Sequence, residues 1–188
     1  MTGSPPRISA GIVVRLLASA YEAVLTAALA MAIGFVLLPW IGGHGMPAPD
    51  GRIALPGTRE RVLTLTCLLA AFGAYYTWMW SGGRATLPMR TWRLELATTA
   101  GMTLDARRAV LRFAAWWIAP VCALGAYVAL RAVGVGQGRW AMALLCLNYA
   151  WALVDRDRQY LHDRIAGTRL LRSPARHRGA GMARGQDF

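Results

Sequence analysis

The chain has 188 residues, of which 56% are hydrophobic and 16% charged, with eight tryptophans and a net charge of +12 supplied by arginine without any lysine. Apolar runs close to the ~20 residues needed to cross a bilayer exclude an ordinary soluble domain and predict one polytopic membrane domain. Basicity of this size can signal nucleic acid, but here most arginines flank apolar runs. That points away from nucleic acid and toward membrane topology and anionic lipid headgroups.

In chain order, residues 1–11 read as a short polar arm. The first apolar run, Ile12 to Trp40, is long enough to span and lacks a clear small-residue cleavage site, so it reads as a membrane helix rather than a signal peptide. Residues 41–61 hold Gly42-Gly43, Pro47, Pro49, Asp50-Gly51 and Pro56-Gly57, the composition of an irregular loop. Val62 to Trp80 is the second predicted span, ending in Tyr75, Tyr76, Trp78 and Trp80, which suit the headgroup level. Between 81 and 108 the chain is polar and basic. Trp92, Leu94 and Leu96 alternate with Arg93 and Glu95, which predicts an extended segment in a small cytoplasmic or interfacial hairpin. Gly101 is a candidate turn and Thr103 a candidate helix cap.

Ala109 to Ala132 is the third predicted span, with Arg112 near its start and Pro120 placed to kink it. Gly134-Val135-Gly136-Gln137-Gly138 reads as a tight turn without nucleotide-binding spacing. Trp140 to Val154 is a fourth apolar run, short for a crossing. Residues 173–188, rich in Arg and Gly, read as a disordered basic tail. The fold class predicted is therefore an all-α integral membrane protein with four transmembrane helices, near 12–40, 62–80, 109–132 and 140–154, within a domain over 12–172. Arginine is concentrated in the 81–108 loop and after residue 155, so the positive-inside rule places both termini and that loop in the cytoplasm.

Two charges interrupt the first run. Arg15 and Glu22 are seven residues apart, two turns along one helical face and about 10 Å apart along the axis. If the apolar core begins near Ile12, Glu22 lies near the midplane of a ~30 Å hydrocarbon layer. Ala18, Ser19, Thr26, Ala30 and Ile33 share this face. Val13, Leu17, Val24, Met31, Phe35 and Leu38 lie opposite, as expected for a packed inner side and a lipid-facing outer side. Charges at depth mark either a functional site or a structural pair.

Three stretches resemble the RDD family of bacterial membrane proteins, named for an arginine and two aspartates. They are Arg15 to Glu22, then Gly83 to Arg90 with Trp92-Arg93-Leu94, and most specifically Asp155-Arg156-Asp157-Arg158-Gln159-Tyr160-Leu161-His162-Asp163-Arg164-Ile165-Ala166-Gly167-Thr168. Glu22 stands where the family has its first aspartate, and Pro88 where its loop usually has glycine. The resemblance makes Arg15 the arginine, Glu22 the first acid and Asp163 the second, with Asp155 as runner-up. It also implies a bacterial inner membrane and, for some members, cation/proton antiport.

Two functions follow as expectations. One is a small, oligomeric, cation- or proton-coupled transporter in which Glu22 exchanges a proton for a cation. The alternative is a non-transporting adaptor or assembly factor that docks a membrane-protein partner or anionic lipid through its basic loop and tail. Arg15 is expected to contact an acid of the 155–168 stretch, leaving Glu22 deeper and less paired. Asp163 has three candidate cations: Arg15, Arg112 and Arg164. His162 and Asp163, as helix neighbours, are expected to face different partners. Cys67, Cys122 and Cys146 form no CxxC pair, and no hydrolase, kinase or redox motif occurs. The chain therefore reads as no enzyme, with no cofactor and no metal.

Overall fold

The computed structural model describes residues 9–41, 57–134 and 138–172. Most of the predicted 41–61 loop, the centre of the 134–138 turn, the first eight residues and the 173–188 tail lie outside the described residues. Helix α1 (Ile12–Ile41) has 30 residues. At 1.5 Å per residue it is about 45 Å long, well beyond a ~30 Å hydrocarbon layer. Its faces divide as the periodicity predicts. The six large residues assigned outward are 51–68% exposed, whereas Ala18 on the charged face is 5% exposed.

Helix α2 (Thr58–Trp80) begins four residues before the predicted apolar start, with Glu60 in its first turn, where a carboxylate complements the helix dipole. A Cβ on Gly73 would stand 3.3 Å from Phe113 Cε1, so glycine lets α2 approach the third helical run closely. That run is not one kinked helix. It consists of α4 (Ala106–Trp116) and α5 (Ile118–Ala132), with Trp117 between them. Pro120 has no N–H to offer the carbonyl four residues earlier, so the break opens before the proline itself. Between α2 and this run lies one short helix, α3 (Leu87–Thr91).

The fourth run also differs from a plain α-helix. It winds as a 3-10 helix over Gly138–Cys146 and continues as α6 (Leu147–Val154). It lies against α5, along which Ala119 and Ala123 are buried at a four-residue interval. A Cβ on Gly138 would sit 3.3 Å from Tyr127 Cδ2. Small residues permit this close backbone approach. Among the described residues, three stretches are long and apolar enough to cross a membrane: Ile12–Trp40, Thr58–Trp80 and Ala106–Ala132.

The extended segment exists and turns back locally through Gly101, but its main partner is a strand far along the chain. Strand β1 (Leu94–Thr98) pairs antiparallel with β2 (Thr168–Arg172), from Leu94 opposite Arg172 to Thr98 opposite Thr168. Ser9 bridges Leu171, and the Ala10 N–H donates to the Leu170 carbonyl at 3.1 Å. A turn through Gly101, at φ +80°, returns Thr103 to bridge Ala97. Thr103 is thus held by the strand, and the cap of α4 is instead Asp105, which accepts from the Arg108 N–H at 3.1 Å. Helix α7 (Leu161–Ala166) closes at Gly167, left-handed at φ 62°, which turns the chain into β2.

Ala10, Ala18, Trp80, Met89, Leu94, Leu96, Leu104, Ala109 and Leu170 form a buried cluster. It unites the starts of α1 and α4 and the end of α2 with α3 and the two strands. This polar end needs a core of its own, while the long helices keep apolar faces outward, as lipid contact requires.

Candidate functional site

Arg112 lies two turns into α4, on the buried side that carries Ala109 and Ala115. Asp163 sits in the first turn of α7, where the helix terminus favours a carboxylate. The two form an ion pair with side chains 6% and 2% exposed. Thr168, brought back by the Gly167 turn, completes the contact. Its Oγ1 accepts from Arg112 Nη1 at 2.9 Å and lies 3.2 Å from Asp163 Oδ1. The guanidinium also rests 4.8 Å from the centroid of the Trp80 ring, within cation–π range.

His162 joins the same cation. Its Nε2 is 3.4 Å from Arg112 Nη2 and 3.8 Å from Asp163 Oδ1. The expectation of separate partners for His162 and Asp163 is therefore corrected: Arg112 is long enough to meet both at the start of α7. Because a guanidinium can only donate, His162 Nε2 must accept and the ring is neutral, with its proton on Nδ1. Burial, and then the positive charge of Arg112, hold the His162 pKa well below its usual value.

Glu22 approaches from α1. Its carboxylate faces the Thr86 hydroxyl and lies in the field of Arg112, yet Glu22 Oε1 and Thr86 Oγ1 are both buried without a hydrogen bond of normal geometry. Thr26 Oγ1 donates to the Glu22 carbonyl at 2.7 Å, so in its contact with Tyr76 the tyrosine hydroxyl is the donor. Arg112 is thus paired with Asp163 and lies within electrostatic range of Glu22, whose Oε1 has no hydrogen-bond partner among the described residues. With His162 neutral, this buried group holds one cation and two acids.

Arg15 belongs to a second contact. The predicted bond to an acid of the 155–168 stretch is replaced by one to its backbone: Arg15 Nη2 donates to the Arg158 carbonyl. Its guanidinium also lies 5.0 Å from the Tyr160 ring centroid, and Asp155 contributes at longer range. The reason is geometric. Asp155 Oδ2 is already occupied by the N–H groups of Asp157 and Gln159, at 3.1 and 2.9 Å. Arg158, left-handed at φ 52°, lies within this turn. Asp157 holds Arg164 and Arg169 at 3.0 and 3.3 Å. The Tyr160 pKa is raised by burial, with Arg15 opposing.

The structure thus brings Arg112, His162, Asp163 and Glu22 together, and sets Arg15 with Asp155 apart. Thr86, Thr168 and Trp80 were not singled out from the sequence as part of a site. Thr168 closes the most specific resembling stretch, which was the available signal. Trp80 read as a headgroup aromatic but is 7% exposed beneath Arg112.

Long apolar helices joined to a small polar layer, with a buried arginine–acid cluster where they meet, define a membrane protein built around intramolecular charge. The family profile described as "RDD family" matches residues 9–167. The chain belongs to the RDD family. Comparison with curated proteins and with solved structures returned no match.

Proposed function

We propose that this protein is a small ion-coupled transporter in which Glu22 is the exchanging carboxylate. The observation that carries this reading is the buried, unbonded Glu22 Oε1, in the field of an arginine already bonded to Asp163 and Thr168. A desolvated carboxylate without a full partner is costly, and binding a proton or a monovalent cation relieves that cost. Arg112 and Asp163 hold the surrounding elements in place, and Glu22 handles the ion.

The proposal takes the fourth run as a further crossing, beside the three candidate spans. Nine residues of 3-10 helix at about 2.0 Å rise and eight of α-helix at 1.5 Å reach about 30 Å together, the thickness of a hydrocarbon layer. The 3-10 winding lengthens a run that would be short as an α-helix. With four crossings, the positive-inside rule puts both termini in the cytoplasm of a bacterial inner membrane. The length of α1 also moves Glu22 from the midplane toward the cytoplasmic boundary, since its Thr86 neighbour belongs to the polar layer.

The test is pH-driven cation flux in proteoliposomes. Glu22→Gln should abolish flux while thermal unfolding in detergent stays within a few degrees of wild type. Glu22→Asp should retain flux. Wild-type flux in the Glu22→Gln protein would refute the proposal. The adaptor reading rests on Arg90, Arg93 and Arg107, which are exposed and form no ion pair among the described residues. It is favoured if wild type carries no flux and neutralising these arginines releases co-purifying protein.

A further inference from the structure

We propose that Arg84 and Trp78, at the end of α2, form a binding site for the phosphate of an anionic phospholipid. The inference is independent of the role of Glu22. Trp78 is 62% exposed in the last turn of a candidate span, where an indole suits the boundary between lipid tails and headgroups. The Arg84 guanidinium lies 4.1 Å from the centroid of that ring.

Surface arginines usually sample many rotamers, but this one is fixed from several directions. Arg84 Nε donates to the Trp78 carbonyl at 2.7 Å, and Nη2 donates to Ser81 Oγ at 3.0 Å. Gly82 and Gly83, both left-handed at φ +63° and +74°, fold the intervening turn back on the helix end. The Gly82 N–H anchors that turn to the Leu104 carbonyl at 2.9 Å. A Cβ on Gly82 would lie 3.6 Å from both Nη1 and Nη2, so the turn runs directly beneath the guanidinium.

Among the described residues, no carboxylate pairs with Arg84. The result is a preorganised cation without a counter-charge among the described residues, at the end of a candidate membrane helix and beside an exposed indole. A phosphate oxygen can bond Nη1 while the stacked plane fixes the direction of approach, which a flexible ammonium would not reproduce. An acyl chain of the same lipid would run along the exposed α2 face past Trp78. This continuity between cation and apolar face favours a lipid phosphate over a free one, and the missing counter-charge favours an anionic headgroup over a zwitterionic one.

Native mass spectrometry of the full chain in detergent, titrated with phosphatidylglycerol or phosphatidylcholine, tests this. The first phosphatidylglycerol should bind about tenfold more tightly than phosphatidylcholine, a typical effect of one charge-assisted contact. Arg84→Gln should remove that preference, and Arg84→Lys should restore it only in part. Arg156→Gln, an equal charge change at another exposed site, should leave it intact. Millimolar inorganic phosphate should not displace the lipid. The proposal is overturned if Arg84→Gln keeps the preference, if Arg156→Gln loses it equally, or if inorganic phosphate competes the lipid away. Should Arg84→Gln fail to fold, Trp78→Leu, which changes no charge, must lower the preference by about threefold or more. An unchanged preference in that variant also overturns the proposal.

Discussion

Asn148 supplies the hydrogen bond that Pro120 withholds. The Trp116 carbonyl is the acceptor that an N–H at position 120 would have served, and Asn148 Nδ2 reaches it at 2.8 Å from α6. Asn148 is 2% exposed, so without this bond its buried amide N–H would lose its acceptor. Asn148→Leu should lower stability by about 1–3 kcal/mol. In a Pro120→Ala background, where the backbone can serve Trp116 itself, the same change should cost less. A double-mutant cycle by denaturant unfolding measures the difference, and strict additivity would separate the two residues.

The Arg112–Asp163 pair should behave as a buried ion pair. Asp163→Asn leaves the guanidinium without its bonded carboxylate and should cost about 3–5 kcal/mol. Thr168→Val removes one neutral partner and should cost about 1 kcal/mol. Replacing both charges, as in Arg112→Met with Asp163→Leu, should recover much of the single-variant loss. Unfolding midpoints of the four proteins give this order directly.

His162 predicts acid sensitivity. Its pKa is lower in the folded protein than in the unfolded chain, so below the unfolded value of about 6.5 the unfolded state binds a proton that the folded state resists. The His162 contribution is fully present above that pH. It is lost as pH falls, with a limiting slope of about 1.4 kcal/mol per unit until the folded pKa is reached. Comparing unfolding midpoints of wild type and His162→Gln between pH 5 and 8 should show a shallower acid limb in the variant.

Arg158 acts through its backbone. A left-handed non-glycine residue carries a cost of about 1–2 kcal/mol, and its side chain is exposed. Arg158→Gly should therefore be neutral or stabilising by up to about 1 kcal/mol, whereas Arg158→Val should destabilise. Arg15→Ala loses both the bond to the Arg158 carbonyl and the Tyr160 contact, and should cost about 1–3 kcal/mol. Thermal unfolding of the three variants checks the order.

Local periodicity made several features legible. The two faces of α1, the three long apolar runs, an extended segment around Leu94 and Leu96 and the turn at Gly101 all follow from residues within a few positions of one another. The sequence alone determined which side of an element is apolar and where it is interrupted, because side-chain direction repeats with the local backbone. It did not determine partners. Three cations were open to Asp163, and the packing of α7 on α4 selected Arg112. Arg15 met a carbonyl because Asp155 was already satisfied by its own turn. β1 found its mate beyond residue 167 rather than nearby. The opening pair shows both sides: Pro120 announced a freed carbonyl, but only the packing of the fourth run on the third placed Asn148 against it. Such choices depend on segments tens of residues apart whose approach is set by burial, which no local repeat encodes.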